Sequence, residues 1–382
     1  MSVKSFKTIC VLPWIHTAIF QNKEVRPCCT APDLTLGSIE DNSISYIDND
    51  VPMQTLRQQM LDGEYPDCCS VCFSREEAGT TSPRMNFNKA YYDDFTKIIK
   101  EEPVSKKYLE VNFSNLCNAR CRMCGPQSST RWYADASSLQ HLEYYNFTAR
   151  GSKEVDFANF DVNWKELDLI KILGGEPFLT PDNEKIIDYI STKGNPKNVR
   201  LEIFTNSSIF PNEKLIERLK EFKKVEINLS IDGLNDTYNY IRSPLIFDDI
   251  IPVAQKWIDV DIPNKQIGVQ FLVQVYNILQ IVEFDKFFKI LGEFDGNTSK
   301  MYIHYNIISR PEHLLPRNAK DEDKVKAIAY LEEYVYLDKD KQELQKRDVT
   351  KFNAIIQELK CKPRAKDLKQ LVEFNKILDG TG

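Results

Sequence analysis

The spacing of apolar positions changes character along the chain. Up to about residue 105, apolar runs are short and broken by turn pairs: Arg26-Pro27, Ala31-Pro32, Leu36-Gly37, Asp62-Gly63 and Tyr65-Pro66. Helices are predicted at Met53–Leu61 and Asn86–Lys100, the second stopping before Glu102-Pro103 because a residue before proline is disfavoured in the α region. From 106 to 310, short β-rich runs alternate with stretches of helical period. The strand candidates are Tyr108–Phe113, Leu167–Leu173, Val199–Thr205, Val225–Ile231, Ile267–Val275 and Met301–Ile308. The helices predicted between them are Ser129–Tyr145, Asp182–Thr192, Pro211–Phe222, Phe247–Val260 and Leu279–Phe294. Pro181 and Pro211 fall at helix starts, where the missing N–H costs little. Strands separated by helices require crossover connections, hence a parallel sheet. Right-handed crossovers curl such a sheet toward a barrel. Six units rather than eight predict a partial, open one. After Pro316 the pattern is helical and charged, with helices expected at Asp321–Lys346, Lys351–Leu359 and Lys366–Leu378. The reading is therefore α/β in three segments: a cysteine-rich segment 1–105, a partial (β/α)6 barrel 106–310, and a helical extension 311–382.

With 42% hydrophobic residues the chain can bury a core, and with 14 glycines and 18 prolines it is neither disordered nor collagenous. Its formal charge of -6 argues against general nucleic-acid binding, which favours a basic surplus. No apolar run is long enough to span a bilayer. Met1–Ile9 holds two lysines and no long apolar stretch, unlike a secretory signal. A cytoplasmic, reducing location is expected.

Cysteine usage changes the picture most. Nine of the ten cysteines lie in the first third of the chain. In a reducing compartment, clustered cysteines bind metal more often than they form disulfides. Cys361 stands apart and reads as a buried small apolar residue. Cys117, Cys121 and Cys124 occupy the run NLCNARCRMCG directly after the first barrel strand. Short thiolate loops of this kind hold iron–sulfur clusters. Zinc, or three packed cysteines, fits the spacing as well.

The CxxxCxxC run after strand one resembles the radical S-adenosylmethionine (SAM) superfamily, with Met123 where an aromatic residue is usual. Further motifs sit where that family places them. Gly174-Gly175-Glu176-Pro177 closes the second strand, and Thr205-Asn206 ends the third. Ser230-Ile231-Asp232-Gly233 ends the fourth, with Arg242 following. The resemblance covers about 106–310 and implies a 4Fe–4S cluster on Cys117, Cys121 and Cys124. It also implies that Gly174, Gly175, Glu176 and Pro177 receive the methionine amino group of SAM. Thr205, Asn206, Ser230, Asp232 and Arg242 complete the cofactor-binding set, Arg242 toward the SAM carboxylate. A guanidinium fork suits a carboxylate because it bonds both oxygens. The bland alternative for Arg242 is a surface salt bridge.

The N-terminal run CVLPW, VRPCC, LGSI and YPDCCSVCFSREEAG resembles the auxiliary-cluster modules of the same superfamily, SPASM with two clusters and twitch with one. Such modules usually follow the barrel; here the module precedes it. The resemblance implies an auxiliary 4Fe–4S cluster on Cys10, Cys28, Cys69 and Cys72. Cys29 and Cys68 are left as spares, either packed or able to substitute as ligands (Cys29 for Cys28), since neighbours on a strand point to opposite faces. Six cysteines are too few for two full clusters, which favours the twitch form. A structural zinc on the same thiolates is the alternative. The segment has little aliphatic core of its own, so a metal would supply folding energy. Arg75, Glu76, Glu77 and Arg84 either tie the module down or lie solvated. Trp14 and His16 read as packing residues.

The resemblance further implies an enzyme that cleaves SAM reductively to a 5′-deoxyadenosyl radical. That radical abstracts hydrogen from a peptide or small-molecule substrate. An electron donor such as flavodoxin or ferredoxin is the expected partner, with no membrane partner. Substrate contacts are expected on the barrel's inner face at Asn112, Gln270, Gln274, His304 and Asn306. Tyr276, Tyr302 and Tyr305 are placed either to relay a proton or to pack. A non-catalytic iron–sulfur or zinc protein that binds a redox or protein partner is the competing class.

Overall fold

The computed structural model describes residues 6–31, 34–77, 79–145, 155–293, 301–341 and 346–380. The chain divides into two compact units: residues 1–114, 150–203 and 212–225, and residues 115–149, 204–211 and 226–382.

The first unit contains β1 (His16–Ile19), β2 (Glu24–Arg26), β3 (Gly37–Ser38), β4 (Tyr108–Asn112), β5 (Leu169–Leu173) and most of β6 (Arg200–Thr205). Their spatial order is β3-β2-β1-β4-β5-β6. The outer three strands pair antiparallel. The β1–β4, β4–β5 and β5–β6 pairs are parallel, as crossovers require. Parallel strands covered on one face show alternate burial, and β6 does so from Leu201 to Thr205. The second unit contains most of β7 (Lys224–Ser230), then β8 (Lys265–Val273) and β9 (Met301–Ile307), with β8 and β9 parallel. The fold is thus α/β with a parallel sheet of the partial (β/α)6 barrel kind, and the sheet does not close into a ring. All six predicted strands form, each shifted by two residues or fewer at either end. No helix among the described residues is long and apolar enough to cross a membrane.

Three helix expectations need correction. The stretch Asn86–Lys100 is two helices, Pro83–Ala90 and Tyr92–Ile99, broken at Tyr91. Tyr91 leaves helical geometry with φ -113° and ψ 47°, and its hydroxyl donates to Asp168 at 3.0 Å. A tertiary contact overrides local propensity there. The helix from Ser129 is also shorter: the regular part is Tyr133–Leu139, flanked by single turns. The third, Pro211–Phe222, begins at Glu213, because Asn212 caps it by accepting from Leu215 N at 2.9 Å. In the C-terminal region the helices are Asp321–Lys341, Lys346–Lys360 and Ala365–Leu378; residues 342–345 and Phe294 lie outside the described set.

The N-terminal segment is richer in core than its composition suggests. Ile9, Val11, Ile15, Tyr91 and Ile98 form a buried cluster, with Trp14, Leu61, Phe87 and Phe95 packed against it. Both faces of β1 are buried, and His16 pairs in register with Tyr108 on β4. The His16 ring stacks on Tyr108 at 4.0 Å between centroids, and its Nδ1 lies 3.1 Å from Pro27 O. Pro27 offers only an acceptor, so the ring is neutral with its proton on Nδ1. Burial lowers its pKa from 6.5 to about 4.

That shift has a definite sign. The folded state binds a proton on His16 less readily than the unfolded chain, so stability is full above about pH 6.5 and falls as pH drops toward 4. The difference amounts to about 3 kcal/mol when complete. Between pH 7 and 4.5, His16→Phe is expected to lose about 2–3 kcal/mol less than the parent in urea unfolding. Equal pH slopes for the two proteins would mean that His16 is not buried as a neutral ring.

Candidate functional site

In the second unit, the segment Asn115–Gly125 leaves β4 with no regular secondary structure, so its backbone must find partners one by one. Thr130 N donates to Asn115 O at 2.9 Å, and Asn115 Nδ2 to Pro126 O at 2.8 Å. Ser129 Oγ donates to Ala119 O at 2.6 Å, Trp132 Nε1 to Cys121 O at 3.2 Å, and Tyr144 OH to Met123 O at 3.0 Å. The Arg120 and Arg122 amides donate to Ser243 O and Ile241 O at 2.6 and 2.8 Å. The loop is held from several sides, with Cys117 and Cys121 buried and Cys124 half-buried.

Donors also point at the sulfurs themselves. Arg242 Nη1 lies 3.7 Å from Cys121 Sγ, Asn206 Nδ2 3.7 Å from Cys117 Sγ, and Ala119 N 3.4 Å from the same sulfur. Cys124 and Cys121 share a hydrogen bond that holds the Cys124 thiol below its ordinary pKa, with the Arg242 charge acting in the same direction. N–H donors around sulfur favour thiolates, the form that ligates iron. The donor set therefore fits a cluster held by three cysteines.

Arg242 is not a surface arginine. It is 9% exposed, and its Nε and Nη2 bond Asp232 Oδ2 at 2.7 and 2.6 Å. Asp232 is 1% exposed, and its other oxygen accepts from Leu272 N at 2.7 Å. Burial pushes the Asp232 carboxyl up, against the pull of Arg242. Asp232 thus aims the guanidinium, leaving Nη1 to face Cys121. Asn206 closes a second network, donating to Asn118 Oδ1 at 2.9 Å and accepting from Ser208 N at 3.0 Å. Thr205 Oγ1 accepts from Ser207 N at 3.1 Å. Ser207 holds φ +64°, a left-handed conformation uncommon outside glycine. Ser230, the last residue of β7, is half-buried.

Arg122, inside the cysteine motif, is a residue the sequence reading missed. Its guanidinium lies 3.7 Å from the centroid of Tyr240, donates to Asn375 Oδ1 at 3.2 Å and pairs with Asp379. Tyr240 OH also donates to Asp379, at 3.0 Å, and Tyr276 OH to Asn375. Phe374 stacks on Trp132 with centroids 6.1 Å apart. The C-terminal helix Ala365–Leu378 is therefore bolted to the cysteine loop. The partners stand more than 250 positions away in sequence, and no local signal could have announced them. Tyr276 is committed to this contact. Tyr305 packs on the opposite side of its strand, donating to Asp285 at 2.7 Å among Phe271, Phe284 and Phe352.

Across β7, β8 and β9 runs a polar ladder. Gln270 Nε2 donates to Asn228 Oδ1 at 2.6 Å, and Asn306 Nδ2 reaches Gln270 Oε1 at 3.4 Å. Tyr302 bonds Glu226 and meets His304 edge-on with centroids 4.6 Å apart. Gln274 is fully buried.

In the first unit, Gly174 has φ +152°, and a Cβ there would stand 3.0 Å from Ser114 O. Gly175 N donates to the same carbonyl at 3.0 Å. Glu176 is fully buried and caps the following turn through Phe178 N at 3.3 Å, with Pro177 buried beside it. Asn112 Nδ2 bonds Gln21, while its buried Oδ1 has no donor and would lie 3.6 Å from a Gly174 Cβ. A buried acceptor without a donor costs about 1–3 kcal/mol, so this corner is prepared for a donor group.

Two of the N-terminal cysteines flank Thr30, whose Oγ1 stands 3.3 Å from Cys28 Sγ and 4.0 Å from Cys72 Sγ. Burial pushes the Cys10 thiol up, with Cys28 and Cys72 among its charged neighbours. Cys68 and Cys69 have sulfurs 3.8 Å apart. The charges bearing on Cys29 are chiefly those of Glu110 and Lys171. Arg84 pairs with Glu76 and donates to Ile9 O at 2.9 Å, tying the helix Ser70–Glu77 beside Cys10. Among the described residues no three His, Cys, Asp or Glu side chains converge closely enough for a single metal ion. A cubane asks for one thiolate per iron, so its ligands stand further apart.

Comparison with known families agrees with this geometry. Residues 111–287 match the radical SAM superfamily model, and residues 10–73 match SPASM, an iron–sulfur cluster-binding domain. The chain carries a radical SAM domain and, ahead of it, a SPASM domain. A radical SAM domain implies a 4Fe–4S cluster and SAM; a SPASM domain implies an auxiliary iron–sulfur cluster. The GTP 3′,8-cyclase of Aliarcobacter butzleri is 25% identical over 181 residues, covering 47% of this chain and 51% of that protein. The mitochondrial GTP 3′,8-cyclase of Arabidopsis thaliana is 29% identical over 165 residues, covering 41% and 38%. Among solved structures, Streptococcus suis SuiB bound to S-adenosylmethionine aligns with a TM-score of 0.40 at 14% identity, over 76% of this chain and 62% of that one. The chain spans about half the length of the first curated relatives it matches.

Proposed function

We propose that the protein is a radical SAM enzyme acting on a peptide or small molecule, with an auxiliary iron–sulfur cluster in residues 1–105. The observation that carries this is the set of N–H donors aimed at Cys117 Sγ and Cys121 Sγ in a chain with a radical SAM domain. Cys117, Cys121 and Cys124 would hold the catalytic cluster. Bound there, the cluster would supply the single electron that reductive cleavage of SAM to methionine and a 5′-deoxyadenosyl radical requires. This chain's residues bind and orient. The Gly174–Pro177 turn brings backbone close to a ligand, and Asn112 Oδ1 accepts from its amino group. In the second unit, Thr205 and Ser230 carry hydroxyls at the ends of β6 and β7. Asn206 and Arg242 aim N–H donors at the Cys117 and Cys121 sulfurs, and Asp232 acts by positioning Arg242. The amide ladder of Asn228, Gln270 and Asn306 offers paired donors and acceptors, which suit amide or sugar groups of a substrate.

In the N-terminal segment, Cys10, Cys28, Cys69 and Cys72 are the proposed ligands, with Cys29 and Cys68 as spares. Four protein thiolates leave no open iron, which favours electron transfer over substrate binding. Anaerobic reconstitution is expected to give two 4Fe–4S clusters, about eight irons per chain. Iron and sulfide near four, or zinc in their place, would overturn the two-cluster reading.

A further inference from the structure

The chain is acidic overall, with a formal charge of -6, yet residues 360–369 read KCKPRAKDLK, five basic residues and one acidic. That single acid, Asp367, is buried and engaged by Arg364 Nε at 2.8 Å. Lys362, Lys366 and Lys369 are exposed. They crowd the start of the helix Ala365–Leu378, the end where a helix dipole disfavours cations. A local rule broken without a visible gain in stability points to function.

The patch borders a cleft of about 290 Å³ lined by Tyr144, Arg310, Glu312, His313, Lys366 and Gln370. Arg310 is exposed. Glu312 is answered by Arg364 Nη2 at 2.6 Å. His313 is held neutral, its pKa lowered to about 4 by burial. Among the described residues, the uncompensated charge of the rim is therefore positive.

This cleft lies next to the cysteine loop. Tyr144, one of its walls, donates to Met123 O beside Cys124. Two turns beyond Lys366, about 12 Å along the helix axis, Phe374 and Asn375 pack on Trp132 and Arg122 of the same loop. A partner seated on the patch would stand against the element that carries the triad.

We propose that Lys362, Arg310, Lys366 and Lys369 form the docking surface for a small acidic one-electron donor protein. This rests on the radical SAM reading above, which requires a low-potential electron from outside. The charges are complementary, and the site leads to the cysteine loop through packed side chains. In the step itself a reduced flavin gives up one electron and the cluster gains it; no bond forms or breaks.

The test uses the full-length reconstituted protein and an acidic flavodoxin reduced to its hydroquinone. Stopped-flow reduction is compared for the parent, Lys366→Glu/Lys369→Glu, and a charge-matched control, Lys256→Glu/Lys326→Glu, on other exposed helical positions of the same unit. The patch variant is expected to be reduced at least about tenfold more slowly at low ionic strength, with the gap closing as salt rises. Dithionite should reduce all three alike, with the same spectroscopic cluster signal, which separates a docking defect from failure of the cluster assignment. Equal flavodoxin rates, or an equal loss in the control, would overturn the proposal. So would a salt-independent parent rate. Inorganic phosphate that stabilises the parent but not the patch variant, with flavodoxin rates unchanged, would assign the cleft to a small anion instead.

Discussion

Cys121→Ala is expected to reduce dithionite-driven formation of 5′-deoxyadenosine to background while leaving the iron of the N-terminal segment in place. Cys121 Sγ is the sulfur that Arg242 faces, its backbone carbonyl accepts from Trp132, and its amide flank is tied to Ile241 through Arg122 N. Alanine keeps all the backbone contacts and removes only the thiolate, so the loop should stay folded with two ligands where three are needed. Cys72→Ala should do the reverse, losing N-terminal iron from a buried position beside Thr30. That change should also lower stability, since a ligated metal contributes folding energy. Cys361 is exposed rather than buried as expected, and its thiol donates to Gln357 O at 3.3 Å, so Cys361→Ala should alter neither. Product formed by the Cys121 variant at the parent rate would remove the triad from the chemistry.

The parallel strands from β4 onward were legible in the sequence because each is a short run of aliphatic, β-branched or aromatic residues alternating with stretches of helical period. β1 was not. HTAI is four residues long and buried on both faces, so it has neither length nor alternation, and it becomes a strand by pairing with residues 108–111. The break at Tyr91 was equally invisible, since no Gly or Pro marks it and its cause is Asp168. The cysteine motif was legible as spacing. What surrounds it was legible only in part: Asn206 and Asp232 stand just past strand ends, and Arg242 follows the fourth strand at the close of the helix Asn235–Ile241, but their mutual geometry was not legible. Arg242 was read as reaching outward for a ligand carboxylate, whereas two of its nitrogens are already committed to Asp232. Arg122 was missed because its partners lie at the far end of the chain.

The Asp232–Arg242 pair should also be the most expensive contact in the second unit to break from one side. Both groups are almost wholly buried, so removing one leaves the other without water or a counter-charge. Asp232→Ala strands the guanidinium and deprives Leu272 N of its acceptor. Breaking a buried pair in this way costs about 3–5 kcal/mol. Urea unfolding of the anaerobically reconstituted variant is expected to show a loss of that size. The cluster signal should change with it, because Arg242 is no longer aimed at Cys121 Sγ. Asp232→Ala/Arg242→Met removes both charges and replaces the guanidinium with apolar volume, so most of the stability should return. The donor to Cys121 Sγ stays missing, so the cluster signal should remain altered in the double variant. A loss below about 1 kcal/mol for Asp232→Ala, the range of exposed pairs, would mean that solvent reaches the pair and that Asp232 does not position Arg242. A double variant as unstable as the single one would place the cost in the Leu272 contact instead.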